Sequence, residues 1–281
     1  MVSAMASSLS SAIIGWLMIA VVIALVGIIE QKKPAERGQS PRDILTDYKL
    51  GLLHLMAHWL ARSLSGPFVI WFINTTGGGL IHLRDDGLWI VFTVVAWFLI
   101  ADFYSYWIHR ALHASPYLWA MHSLHHSAPA MTASTGARQS WLESFTAAFI
   151  VSPAIGMVFN VPPVALAIYF IVQIASSLFS HANIGASWIG LIYAGPQYHR
   201  LHHSQLREHY DRNFAELFPI WDLLFGTMTR PKPGEFPPTG LSDEAPPSGF
   251  VDGIIWPFRG LLRPTVQLSG QGRVPVASKS Q

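Results

Sequence analysis

The 281-residue chain is 51% apolar and only 12% charged, about half the charge of an ordinary soluble domain. Its formal net charge of +2 offers no footprint for nucleic acid, and the absence of cysteine excludes disulfides, thiolate zinc sites, iron–sulfur clusters and a cysteine nucleophile. Thirteen histidines remain, most of them gathered into a few short segments.

The first expected element is a membrane helix over Ser11 to Ile29, an uncharged run of 19 residues that is long enough to cross a hydrocarbon core of about 30 Å. The run is long for a signal peptide and no positive charge precedes it, which favours a retained helix. Glu30, Lys32, Lys33, Arg37, Arg42 and Lys49 follow in a polar, proline-containing stretch, cytoplasmic by the positive-inside rule. Leu50 to Asn74 is apolar but includes His54, His58 and Arg62; it reads as a second span, a re-entrant pair, or an interfacial helix with a short span. Thr75 to Gly79 is a loop. Leu88 to Ile108 is a strong span, and Leu142 to Phe159 with Val161 to Phe179 form a helical hairpin turning at Asn160-Val161-Pro162-Pro163. From Gly195 the chain is polar, and after Pro231 its proline and glycine content predicts loop. With 74–87 and 160–163 outside, Arg84 is the only outside basic residue, beside Asp85 and Asp86. That asymmetry puts His109, the 110–140 loop, His181 and everything after 195 on the cytoplasmic side.

The histidines fall into spaced boxes. His109-Arg110-Ala111-Leu112-His113 is H-x3-H, and His122-Ser123-Leu124-His125-His126 is H-x2-H-H. His181 ends the hairpin, and His199-Arg200-Leu201-His202-His203 repeats H-x2-H-H. Residues three and four apart share one helical face, so each box aims two or three imidazoles in one direction. This suits one metal per box or two metals shared among boxes, and imidazole binds iron, zinc and copper well. Without metal, so many clustered imidazoles would leave many polar nitrogens to satisfy. His54 and His58 lie outside the boxes and read as headgroup-facing; His82 falls in the outside loop, and His209 reads as a solvated loop residue. The sequence has no H-E-x-x-H, no deaminase signature and no paired E-x-x-H of a soluble di-iron carboxylate bundle. Asp102 stands seven residues before His109, inside a span where charge is costly, and is a candidate partner for a ligand imidazole. Glu143 reads as a helix-start charge, an outer-sphere group or a ligand. Arg138 would meet a lipid phosphate or an internal acid, and Asp222 reads as a structural hydrogen-bonder. The aromatic stripe Trp97, Phe98, Phe103, Tyr104 and Trp107 reads as packing or interface anchoring.

The order H-x3-H, H-x2-H-H, isolated His, H-x2-H-H resembles the fatty acid hydroxylase superfamily, which contains sterol desaturases and lipid hydroxylases. The likeness runs from about Asp102 to Thr229 and includes Asp102 to Arg110, His125-His126-Ser127, Asn213-Phe214 and Ile220 to Thr227. Ser134-Thr135-Gly136-Ala137-Arg138-Gln139-Ser140 is similar to the corresponding stretch of alkylglycerol monooxygenases and bacterial relatives. The resemblance implies an all-α integral membrane fold, a bundle of about four transmembrane helices capped by a cytosolic histidine-rich di-metal domain. It implies two iron ions held by His109, His113, His122, His125, His126, His181, His199, His202 and His203. O2 would attack an unactivated C–H bond of a lipid drawn from the bilayer. Electrons would come from a separate cytochrome b5-like or ferredoxin-like protein, or from a pterin. The organisation expected is an N-terminal membrane anchor region with a cytoplasmic basic loop (1–87), a catalytic domain (88–230) and a Pro/Gly-rich tail (231–281). The membrane is a bacterial inner membrane or the endoplasmic reticulum. Rivals are a lipid or sterol desaturase of the same superfamily, a non-catalytic metal carrier and a membrane zinc hydrolase. A carrier would want a polar path through the spans, and a zinc hydrolase needs only three ligands and a base.

Overall fold

The computed structural model describes residues 21–32, 34–36, 38–186, 190 and 192–262, with the backbone of 265–268 and 271–275. Residues 21–32 are helical (α1); the first part of the expected Ser11–Ile29 span, up to residue 20, lies outside the described residues. Helix α2, Pro41–Thr76, begins where Ser40 Oγ accepts from Asp43 N with Pro41 at the first turn, and ends at Gly77, whose φ of 72° needs a glycine. Its 36 residues make a rod about 54 Å long. One continuous helix excludes the re-entrant pair, and residues 41–49 belong to it rather than to a polar connection.

Among the described residues, three helices are long and apolar enough to cross a membrane: α3, Trp89–Ala114; α5, Trp141–Val158; and α6, Pro163–Ser180. Large apolar side chains on them, such as Phe92 and Ile150, point outward, where lipid rather than protein would cover them. Helix α5 contains a π turn at Ala147–Val151. Ile81–His82 (β1) pairs in parallel with Phe159–Asn160 (β2), tying the connection before α3 to the α5–α6 turn.

Helix α3 stops at Ala114 because Ser115 is extended and Pro116 opens the next helix. That helix, α4 (Pro116–His126), folds back along α3 and carries the second histidine box. Helix α7, Pro196–His202, carries the third box, and α8 is Ile220–Leu224. The segment after Pro231 is not all loop. Helix α9, Phe250–Leu262, packs on α4 and α2 through a buried cluster of Leu50, Trp119, Leu124, Leu241 and Trp256. Glycine here serves packing rather than a loop: Gly253 and Gly260 are contact points, where a Cβ would meet Leu50 and Ala120.

Candidate metal centre

The structure brings the nine box histidines together and sorts them into two groups. His109, His113, His122, His126 and His202 form one; His125, His181, His199 and His203 form the other. Within each group one nitrogen from every ring lies within 4.8 Å of the rest. Each H-x2-H-H box divides between the groups: His122 and His126 face one, His125 the other, as His202 and His199–His203 do in the last box. The groups adjoin, with the His126 and His203 rings stacked at 4.2 Å.

Backbone carbonyls set the orientation of four rings. His109 Nδ1 donates to Phe214 O at 2.8 Å, and His202 Nδ1 to Arg212 O at 2.8 Å. His181 Nδ1 donates to Ser177 O at 2.6 Å, and His125 Nδ1 to Arg138 O at 3.2 Å. Each of these bonds places the proton on Nδ1 and leaves the Nε2 lone pair bare. The consequence is sharpest at His181, whose proton-free Nε2 faces His125 Nε2 at 3.0 Å. His181 Nε2 also lies 3.0 Å from His199 Nε2 and 3.2 Å from His203 Nε2. An imidazole–metal bond is about 2.1 Å, so neighbouring ligands around one ion stand roughly 3 Å apart. In the other group His109 Nε2 and His122 Nε2 are 3.2 Å apart, and buried nitrogens of His113, His126 and His202 have no hydrogen-bond partner. Converging bare lone pairs repel one another and suit a cation; the donor set fits metal.

Electrostatics keep these ligands neutral. Burial, opposed in each case by a hydrogen bond to a carbonyl, lowers His181 to about 4 and His202 to about 3. Burial, then neighbouring imidazoles, holds His125, His126, His199 and His203 well below the usual range. All therefore offer lone pairs at neutral pH.

The carbonyls that orient the rings are themselves held. Asn213 sits at φ 57°, unusual for a residue with a side chain. Its amide donates to Tyr198 O and Thr229 O and its Oδ1 accepts from Thr229 N, fixing the turn between Arg212 O and Phe214 O. Asp222 accepts from Phe214 N, Ala215 N, Thr227 Oγ1 and Tyr198 OH, the structural role read for it. Asp102 departs from expectation. It bonds no imidazole; its carboxylate accepts from Leu217 N, Phe218 N and Trp221 Nε1, and so anchors to α3 the strand of chain that carries Phe214 O. Seven residues along a helix bring Asp102 to the face of His109, but about two turns away, beyond hydrogen-bond reach.

Of the remaining residues, Arg138 meets an internal acid, Asp47, at 2.6 Å, both buried, and its Nε donates to Leu124 O and Ser127 Oγ. Asp47 had no signal in the sequence beyond its charge. Glu143 Oε1 lies 3.5 Å from His122 Nδ1. His209 is buried, not solvated: its Nδ1 lies 3.0 Å from Ser204 Oγ. His82 is exposed on β1, beside Asn160. His54 Nδ1 donates to Ser140 O at 2.8 Å.

A cavity of about 510 Å³ runs from the imidazoles of His109, His122, His125, His181 and His199 to apolar walls given by α2, α5 and α6, among them Leu52, Leu55, Val151, Phe170 and Ile174. Such a volume, mostly apolar with polar groups at one end, suits a lipid-sized ligand.

Helices fit to cross a membrane, with nine clustered imidazoles of which five line an apolar cavity, define a class of histidine-rich membrane protein with a candidate metal centre. Residues 94–227 match the sequence model of the fatty acid hydroxylase family. Human alkylglycerol monooxygenase is 32% identical over 66% of this chain and 40% of its own length. An ornithine lipid hydroxylase of Rhizobium tropici is 25% identical over 84% of this chain and 73% of its own. A methylsterol monooxygenase of Aspergillus fumigatus is 26% identical over 50% and 48%. The chain thus spans about 40% of the length of the human relative. No solved structure matches the chain.

Proposed function

We propose that this chain is a membrane-bound, non-haem di-iron oxygenase that hydroxylates a C–H bond of a bilayer lipid. The observation that carries the reading is the pair of imidazole groups whose bare nitrogens converge beside an apolar cavity. His109, His113, His122, His126 and His202 would hold one iron, and His125, His181, His199 and His203 the other. Bound iron supplies the O2 activation that an unactivated C–H bond requires. The balance is one O2, two electrons and two protons per C–H, giving an alcohol and one water. A separate donor protein or a pterin supplies the electrons. Imidazoles ligate without burying several carboxylates, which keeps the site low in net charge. Glu143, beside His122 Nδ1, is positioned to accept that ring's proton as an outer-sphere partner. The walls from α2, α5 and α6 would bind the acyl chain and exclude water from the reacting carbon. The relatives' names, hydroxylase and monooxygenase, favour oxygen insertion over desaturation.

The same reading places α2, α3, α5 and α6 in a bundle of about four crossings, with α1 ahead of them in the anchor region. The imidazoles then lie in a cap on the cytoplasmic side, by the charge asymmetry of the connections. It keeps 88–230 as the catalytic domain, with 1–87 as anchor.

Metal analysis of the detergent-purified chain, expressed with ample iron, tests the proposal. About two irons per chain are expected, the number that two adjacent ligand groups hold. His125→Ala and His202→Ala each lower iron and abolish lipid oxidation, whereas the exposed His82→Ala does neither. One tightly held zinc, or full iron in both box variants, overturns the reading.

A further inference from the structure

Helix α9 has two apolar faces. Gly253, Trp256, Pro257 and Gly260 form the face turned to the protein: Trp256 Nε1 donates to Ser123 Oγ at 3.0 Å, and the two glycines sit against Leu50 and Ala120. Val251, Ile255, Phe258 and Leu262 are spaced by four, three and four residues, so they line the opposite face. All four are exposed, Val251 by 71% and Leu262 by 83%. The charged residues of the helix, Asp252 and Arg259, pair with each other at 2.6 Å on the flank between the faces.

The outward face continues an apolar surface. Phe258 packs on Trp141 at 6.0 Å, Trp141 on Phe145 at 6.0 Å, and Phe145 on Phe149 at 6.5 Å, one row from α9 down the apolar helix α5. Trp141 Nε1 donates to Ile254 O, pinning α9 at the end where α5 begins. A tryptophan there is where aromatic residues anchor a span to the headgroup layer. Leu52, Met56 and Trp59 of α2 are exposed as well. Four side chains fall well short of the roughly 800 Å² per partner of a standard protein interface.

We propose that α9 is an interfacial helix that lies on the bilayer surface with Val251, Ile255, Phe258 and Leu262 in the acyl region. Its other face holds α4, which bears His122, His125 and His126, so α9 sets the depth of the imidazole groups relative to the headgroups. The occupant of the apolar face is lipid, not a second protein. This inference rests on α3, α5 and α6 being membrane spans.

The natural chain has no cysteine, so single substitutions give unique labels. Val251→Cys, Ile255→Cys, Phe258→Cys and Leu262→Cys are each spin-labelled in the full chain and reconstituted in phosphatidylcholine–phosphatidylglycerol vesicles. Ile150→Cys on α5 serves as the membrane control and Asp243→Cys, exposed beyond the spans, as the water control. The expected result is a ratio of O2 to water-soluble nickel-chelate collisions several-fold higher at the four α9 positions than at 243. The proposal is overturned if those positions match 243. It is also overturned if they are immobile and closed to both reagents, as under a second copy. If position 150 itself matches 243, the spans fail, and the wider membrane reading fails with them.

Discussion

Replacing Asp102 by asparagine removes an acceptor shared by Leu217 N, Phe218 N and Trp221 Nε1 and puts an amide donor against at least one of those donors. Hydrogen bonds to a charged group are worth about 1.5–3 kcal/mol each, so Asp102→Asn should cost about 2–4 kcal/mol overall. It should also loosen the segment that offers Phe214 O to His109, so iron falls in the five-histidine group while the four-histidine group stays filled. Thermal melts and iron content check this; full stability and full iron would mean that the carboxylate is dispensable. The identity of Asp102 as a costly intramembrane charge was legible in the sequence. Its partners were not, because they stand more than a hundred positions away along the chain. A separation of 91 positions likewise hid Asp47, the partner of Arg138.

At the scale of elements, the imidazoles depend on close approaches between backbones. Gly136, in the short 3-10 turn Ala133–Ala137, sits where a Cβ would lie 2.8 Å from Ser177 O on α6. Ser177 O is also the acceptor that orients His181. Gly136→Ala must therefore move either the turn or α6, at about 1–3 kcal/mol as for other overpacked contacts. The four-histidine group should bind metal more weakly, which metal titration of the purified variant would show; unchanged affinity would mean that the contact yields without moving His181. The helix break at Pro162-Pro163 was readable, whereas 110–140 was expected to be a loop, although α3 runs on to Ala114 and α4 fills Pro116–His126. The α2 helix and α9 were less readable too. Charges over 42–49 looked like a connection, and the glycines and proline of 250–262 looked like loop, although there they allow close packing.

For the whole molecule, acid should act through the imidazoles together. In the unfolded chain each titrates near 6.5. In the folded chain His181 lies near 4 and His202 near 3, so below 6.5 the unfolded state binds protons that the folded state refuses. Stability is then full above about pH 6.5 and falls as pH drops through the window toward 4 and 3. The metal-free protein should show a melting temperature that declines steadily over that window, and the iron-loaded protein a later onset, since metal competes with protons for the same lone pairs. A melting temperature independent of pH between 7 and 4 would contradict the burial of neutral imidazoles.

The sequence by itself determined that the chain is membrane-embedded in character and that its chemistry lies in repeated histidine spacings. Both are local properties: apolar run length, and i, i+3, i+4 periodicity within one helix. Only the tertiary structure decided how nine imidazoles divide into five and four, because each H-x2-H-H box splits between the groups. Only it showed which carbonyls strip the protons from Nε2, since Phe214 O, Arg212 O, Arg138 O and Ser177 O come from distant turns and helix ends. Orientation of a ring is a property of its neighbours in space, and helical spacing alone carries no record of them.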